Sequence, residues 1–359
     1  MRTSVAALEQ KTNSKIQIAL FLLTFLAGIS FCNPANSAEL TDYLEDLLDK
    51  SNQVKSYQAQ KRQAKEMLWK AKSDYMPRVD FHSQANKENI VREHGENTYK
   101  NRSYLNLKSS QLITDFGKTS SEIKKAYKVL QKAKSQLNMI KKQVLLEGIS
   151  AYLQVLQARE KLKYAKQSEE NIKEQTGIEE SLVRKGAGLS SNVLQARAQL
   201  SGAKALLVRA EGNLETAKNR FQAVFHSSLN QEQLISLTEP KLPKEKLPTT
   251  KKMAVQRALK NNPQLMVLKK ELESASEEVD IQKGNLLPKI NIFAEFEYLN
   301  NDSGIEGYRK EARGGIEMSY NLFKSGGNLA AVKAARENKT SVYKNLKYRS
   351  WQVERRAKD

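Results

Sequence analysis

Apolar and polar positions along this chain change rhythm twice in the same order. A helical period runs into a proline, two period-two stretches follow, and a glycine opens a new helical run. The first passage holds YMPRVDF at Pro77 and DFGKTSSEIKKA at Gly117, and the second holds LLPKINI at Pro288 and KSGGNLAAVKAA at Gly326. Upstream of the prolines the passages align without gaps at a shift of 211, with Leu44, Leu48 and Val54 over Val255, Leu259 and Leu265. Downstream of the strands the shift is 209, with Ile113, Gly117, Ile123 and Ala126 over Leu322, Gly326, Val332 and Ala335. A repeat of about 210 residues is too long for a solenoid unit. The chain reads as a duplicated half-protein whose structural junctions are Pro77, Gly117, Pro288 and Gly326.

The helical stretches carry a heptad seam. Val193, Ala196, Leu200, Ala203, Leu207, Ala210, Leu214, Ala217, Phe221 and Val224 recur at alternating spacings of three and four, the rhythm of a supercoiled helix. Alanine takes nearly every second place, so neighbouring helix axes can approach closely. The preceding helix keeps the same rhythm from Ile123 to Val144, skips by four to Gly148 and resumes at Ala151. Such a stutter locally unwinds the supercoil. Tyr152, Leu153 and Leu156 add a second apolar face there, as expected of a helix with two neighbours. One helix from Thr119 to Arg184 would run roughly 100 Å, while Ser190 to His226 and a single helix over Leu40 to Tyr75 would each cover about 55 Å. Two short helices meeting end to end would match one long one, as in a rod of paired helices.

The period-two stretches are clearest in the second copy. Ile290, Ile292, Ala294, Phe296 and Tyr298 alternate with Lys289, Asn291, Glu295 and Glu297, and Gly314, Ile316, Met318, Tyr320 and Leu322 alternate with Gly315, Glu317, Ser319 and Asn321. Val79, Phe81, Ser83 and Ala85, with Leu105 and Leu107, give a fainter first copy. Runs of about 10 residues with one apolar side suit transmembrane β-strands. Polar loops are expected over Asn86 to Thr98 and Asn300 to Lys310. Four strands cannot close a barrel around water, and an open edge cannot sit in lipid. Several copies must then contribute to one barrel; a soluble hairpin folded on the rod is the alternative.

The first 38 residues combine a basic head, the apolar run IQIALFLLTFLAGISF and the small residues ANSA, which is the pattern of a secretory signal peptide. The lone cysteine, Cys32, lies inside it, so the mature chain is expected to hold no disulfide, and a lipidated Cys32 is disfavoured by the bulky Phe31. The formal charge is +20, from 60 Lys and Arg against 40 Asp and Glu. These lysines are scattered among Glu and Gln at helical spacing, which describes a solvated basic surface rather than a nucleic-acid site. His82, His94 and His226 lack metal-ligand spacing. Asp115-Phe116-Gly117 has the form of a kinase triplet with none of its companions. No catalytic residue, cofactor or metal is expected.

Between the two long helices lies RKGAGLSSNVLQARAQL. Gly186 and Gly188 break the first helix, and Ser190 or Ser191 can cap the next. That makes an ordinary turn, but it leaves Ala187 and Leu189 apolar where solvent is the only local neighbour. Gly186, Ala187, Gly188, Leu189 and Ser190 are therefore candidates for a docking tip.

Taken in order, Asn262-Pro263, the MP and LLP junctions, ITDFGKTSSEIKKA, NLFKSGG and KGAGLSSNVLQARA resemble the TolC family of outer-membrane efflux and type I secretion channels, over the chain from about Glu39 to its end. The resemblance implies an α+β homotrimer, with a long coiled-coil helical hairpin in a periplasmic α-barrel and four strands per protomer in a twelve-stranded outer-membrane β-barrel. It also implies a tip that meets a periplasmic adaptor, with Ala187-Gly188-Leu189-Ser190 in place of a Val-Gly-Leu-Thr-like element. An inner-membrane pump or ABC transporter would drive export of small molecules or polypeptides through the channel, which itself does no chemistry. The expected organisation is a signal peptide over 1–38, a first repeat over 39–226, a linker over 227–251 and a second repeat over 252–359. Its counterpart to the first hairpin would extend to roughly residue 435 by the shift of 209, so the second copy is expected to be truncated before its tip and its gating residues. A periplasmic adaptor, a non-functional channel fragment and a basic coiled-coil protein are the alternatives.

Overall fold

The structure, a computed structural model, describes residues 40–95, 97–240 and 247–359. The expected signal peptide and Cys32 lie outside the described residues. In chain order the elements are α1 Leu40–Lys50, α2 Asn52–Ser73, β1 Arg78–Ile90, β2 Thr98–Thr114, α3 Lys118–Arg184, α4 Ser190–Phe225, α5 Gln231–Ser236, α6 Lys251–Asn261, α7 Pro263–Gly284, β3 Lys289–Asn300, β4 Tyr308–Ser319 and α8 Gly327–Lys358. The order α1-α2-β1-β2-α3 thus recurs as α6-α7-β3-β4-α8. Two compact units emerge, residues 40–43 with 152–240 and residues 44–151 with 247–359.

The repetition reaches individual hydrogen bonds. Asn262 caps α7 by accepting from the Leu265 amide at 3.1 Å, with Pro263 in the first turn where its missing N–H costs nothing. At the aligned place Ser51 accepts from the Val54 amide at 3.3 Å. Val54 and Leu265, the residues these caps position, are both almost wholly buried. The expected single helix from Leu40 to Tyr75 is therefore broken at Ser51, because its hydroxyl competes for a backbone donor. Both α2 and α7 end in a tight turn, with Met76 N–H on the Ser73 carbonyl at 2.9 Å and Leu287 N–H on that of Gly284 at 3.0 Å. Pro77 and Pro288 follow, each immediately before its strand.

In the first unit, residues 152–184 of α3 run antiparallel to α4. Ala196, Ala203, Ala210, Ala217 and Leu214 are buried along the seam, with Val193, Leu200 and Leu207 half-buried between them. The seam closes on an aromatic cluster in which Tyr43 meets Phe221 edge-on at 5.4 Å and Phe221 lies 4.4 Å from Phe225. Tyr152 and Phe221 are fully buried. Leu153, expected on the second apolar face with Tyr152 and Leu156, is instead exposed, because only the latter two turn toward neighbours. Within the expected linker over 227–251 lies the short helix α5. Tyr152 donates to the Thr238 carbonyl at 2.8 Å, and Arg159 donates through Nη1 to the carbonyls of Leu234, Ile235 and Leu237 at 2.9, 3.2 and 3.0 Å. A guanidinium suits these carbonyls, which no later helical turn satisfies.

In the second unit, Ala64 and Leu68 of α2 pack on Leu130 and Ala133 of α3. Lys125, Lys128 and Lys132 of α3 pair with Glu278, Glu273 and Glu271 of α7 at 2.7, 2.8 and 3.3 Å, which fixes their register. Helix α8 packs against α6 and α7; Val332 and Ala335 are buried on it, and Lys339 Nζ donates to the Ser276 hydroxyl of α7 at 3.0 Å. The four strands form one antiparallel sheet in the order β1-β2-β3-β4. The strands run further into the expected loops than the polar residues suggested, since Asn86 pairs with Arg102 and Ile90 with Thr98. Strand β4 stops at Ser319, so Tyr320 and Leu322 fall outside the ladder. Among the described residues no helix is long and apolar enough to cross a membrane.

Candidate functional site

Strand register sorts the sheet into two chemically distinct faces. Across the four strands Phe81 faces Leu107, Leu107 faces Phe296 and Phe296 faces Ala312, so all four share one side. Val79, Ile292, Ile316 and Met318 lie on that side by alternation. Nothing among the described residues covers it: Phe81 is 69% exposed and Ile316 71%. A soluble sheet of this size would bury such a face against another layer.

The opposite face is polar and internally bonded. Asn106 donates to Glu295 at 2.7 Å and to Glu297 at 3.1 Å, and Tyr104 donates to Glu297 at 3.0 Å. Arg313, from β4, lies 3.2 Å from Glu295 and 3.1 Å from Glu297. Two carboxylates of β3 are thus held between a donor on β2 and a cation on β4. Such a wall suits water and charged solutes; it would be costly against hydrocarbon.

At the loop end the two hairpins interlock. Arg102 pairs with Asp302 and Lys100 with Glu306, both at 2.7 Å, and Asn301 donates to the Asn101 carbonyl at 2.9 Å. At the other end, each sheet-to-helix junction contains two consecutive left-handed residues, Phe116 and Gly117 in the first copy and Ser325 and Gly326 in the second, with φ of 55°, 99°, 46° and 74°. Gly117 and Gly326 then accept the first helical bonds, from Ser121 at 2.9 Å and Ala330 at 3.0 Å. Asp115 explains the kinase-like triplet. Its buried carboxylate caps α3 by accepting from the Thr119 amide at 2.8 Å. Nearby Glu122 lines a junction cavity of about 750 Å³ with Asp115, Lys118 and Asp74. Burial pushes its carboxyl above the usual range, Lys118 opposes that, and Asp74 and Asp115 add to it.

The tip residues form one continuous turn. Gly186 N–H bonds the Val183 carbonyl at 3.0 Å and Ala187 N–H bonds that of Leu182 at 2.9 Å, with Gly186 at φ +73°. This paired closure of a helix end requires a left-handed residue between the two donors. Gly188 answers a different need: a Cβ there would stand 3.1 Å from the Val183 backbone nitrogen and 3.2 Å from the Leu182 Cβ. The expectation that Ser190 or Ser191 caps α4 is corrected. Leu189 occupies the N-cap with no side-chain bond, because the helix begins at Ser190 and bonds the Asn192 amide to the Leu189 carbonyl at 3.0 Å. Ala187 is exposed and Leu189 is 67% exposed. Sequence reasoning missed Leu194 and Ile178, which are exposed and apolar nearby in sequence and lie off the heptad seam. Thr176, whose hydroxyl reaches the Ala196 carbonyl at 3.3 Å, and Glu180, paired with Arg197 at 2.9 Å, hold the two helices together below the turn.

A family profile described as outer membrane efflux protein matches residues 43–225 and 254–348. The outer membrane efflux protein BepC of Brucella suis is 24% identical over 269 residues, covering 74% of this chain and 57% of the relative. The alkaline protease secretion protein AprF of Pseudomonas aeruginosa is 24% identical over 198 residues, covering 54% of this chain and 40% of the relative. The chain spans about half the length of these curated relatives. In fold it is similar to the outer-membrane channel OprN, with a TM-score of 0.76 at 18% identity over 88% of this chain and 72% of that one.

Proposed function

Because the chain belongs to the outer membrane efflux protein family, and its place is accordingly the outer membrane, we propose that it is the channel component of an efflux pump or type I secretion system. In this reading the sheet is the chain's share of a transmembrane barrel. The observation that carries it is the sheet itself, with one open apolar face, one self-bonded polar face, and β1 and β4 at its edges. Unpaired edges are untenable in lipid. Three copies joined edge to edge would pair them, giving a twelve-stranded barrel with Glu295, Glu297 and Arg313 toward water.

The helices would then stand in the periplasm as the second part of the same conduit, built from two copies of one ancestral half. Gly186, Ala187, Gly188, Leu189 and Ser190 would dock a periplasmic adaptor, which links the channel to an inner-membrane pump or ABC transporter. The exposed apolar Leu189 on a rigid turn supports this role, since it costs water contact that a partner would relieve. The channel would do no chemistry of its own. One relative is named for efflux and the other for secretion of a protease, so both small molecules and polypeptides remain in the cargo class. The adaptor alternative loses its ground with the family match.

Cysteines placed along β1 and β4 test the assembly, since Cys32 is the only native thiol. Oxidation in isolated outer membranes should give a covalent trimer for the pairs in register. If every β1–β4 combination gave only monomer, the shared barrel would be wrong.

A further inference from the structure

The loop-end third of the apolar face carries chemistry that conduction does not use. By strand alternation Lys87 lies on the same side as Phe81, and Lys310, which faces Tyr298, lies on the side of Ile316. These two are the only charged residues among the described strand residues of that face; no carboxylate shares it. Each ammonium sits over an aromatic ring. Lys87 Nζ is 5.9 Å from the centroid of Tyr99, and Lys310 Nζ is 5.4 Å from that of Tyr308, which stacks on Tyr298 at 6.1 Å. Tyr99 and Tyr308 are as open to the surroundings as Phe81.

On the other face at the loop end the cations are paired, Lys100 with Glu306, Arg102 with Asp302 and Arg309 with Glu311 at 3.8 Å. Neither Lys87 nor Lys310 has an ion pair among the described residues. From Lys310 to Met318 is roughly 27 Å along the strand, at about 3.4 Å per residue. The far end of that apolar band, at Val79 and Met318, carries no charge at all. The face is therefore polarised: uncharged at the junction end, tyrosine and unpaired ammonium at the loop end. Tyrosine marks a membrane–water boundary, and a lysine stem can lie along apolar surface while its head reaches the headgroups. A bilayer with like headgroups on both sides gives no reason for cations on one side only. The outer membrane does, because its outer leaflet is built on a phosphorylated glycolipid.

We propose that Lys87 and Lys310, braced on Tyr99 and Tyr308, bind the phosphates of lipid A in the outer leaflet. The inference rests on the reading of the sheet as membrane-spanning. An ammonium binds phosphate as a point charge, and the tyrosine hydroxyls supply donors and acceptors for the sugar beside it.

The test folds the full chain into phosphatidylcholine bilayers containing lipid A, extracts it in detergent, and measures lipid A retained per protein by mass spectrometry. The double variant Lys87→Gln/Lys310→Gln should retain on the order of twentyfold less, about fivefold for each lysine near an anionic surface. The Lys87→Arg/Lys310→Arg pair should restore retention, and Lys289→Gln, on the polar face at the junction end, should leave it unchanged. Equal retention by the Gln pair would overturn the proposal. So would equal retention of dephosphorylated lipid A, or of phosphatidylglycerol offered in its place. Failure of the wild-type chain to enter any bilayer would remove the membrane reading, and this site with it, and is distinct from insertion without lipid selectivity.

Discussion

Gly284 at the end of α7 lies so close to Lys118 at the start of α3 that a Cβ on the glycine would stand 2.6 Å from the lysine Cβ and 3.1 Å from its Cα. The close approach ties the end of the second copy's helix to the junction of the first. Gly284→Ala must push these helices apart, and overpacking of this kind costs roughly 1–3 kcal/mol. Chemical denaturation should show that loss, while Gly212→Ala in α4, where a Cβ meets nothing within 4 Å, should be neutral or stabilising.

The tip separates folding from docking. Gly186→Ala places a side chain at φ +73° and should cost about 1–2 kcal/mol. Leu189→Asp removes no buried contact, so the melting temperature should hold while adaptor crosslinking and export are lost, because a charge would be desolvated on docking. Unchanged export in Leu189→Asp would reduce the tip to a turn.

Arg313 is the cation shared by Glu295 and Glu297. Arg313→Gln should leave the strand pairing intact and add uncompensated negative charge to the water-facing wall. Reversal potentials across a salt gradient should then shift toward cation selectivity by several-fold in permeability ratio. An unchanged ratio would place these carboxylates away from the ion path.

Two glutamates in the helices should respond to pH in opposite senses. Hydrogen bonds from Lys128 and Lys270 hold the Glu273 carboxyl below its ordinary value. Its contribution is present above the unfolded carboxylate pKa and fades as pH falls through the folded one. Glu273→Gln should therefore lower the melting temperature slightly at neutral pH and not in acid, since a pair this open to solvent contributes little. Glu122 is raised by burial, so its contribution is present below the unfolded pKa and lost as pH rises through the folded one. Glu122→Gln should raise the melting temperature at neutral pH, and the gain should vanish on acidification.

What was legible in the sequence follows from locality. Pro77, Pro288, Gly117 and Gly326 act through their own backbone, and the strands announce themselves by alternation. Gly186 belongs to the same class, since its left-handed turn is a matter of adjacent residues. The kink at Ser51 was missed because the apolar period runs through it, although the aligned Asn262-Pro263 carries the same cap in plainer form. The close approach at Gly284, the carbonyl contacts of Arg159 and the hydrogen bond of Tyr152 could not be read, although Tyr152 was legible as an apolar-face residue. These contacts depend on Lys118, on the end of α5 and on Thr238, which are distant in sequence. Leu189 as N-cap shows the reverse failure, where a favourable residue type next door was no guide to where the helix begins.

The most direct test of the central claim is electrical. The purified chain, added to a planar lipid bilayer under voltage, should give discrete conductance steps that persist at high salt, and blocking thiol reagents should reduce them when a cysteine replaces Glu297 but not Ile316. A chain that enters the bilayer without conducting, or one blocked equally from both positions, would contradict a water-filled barrel lined by the Glu295–Arg313 face.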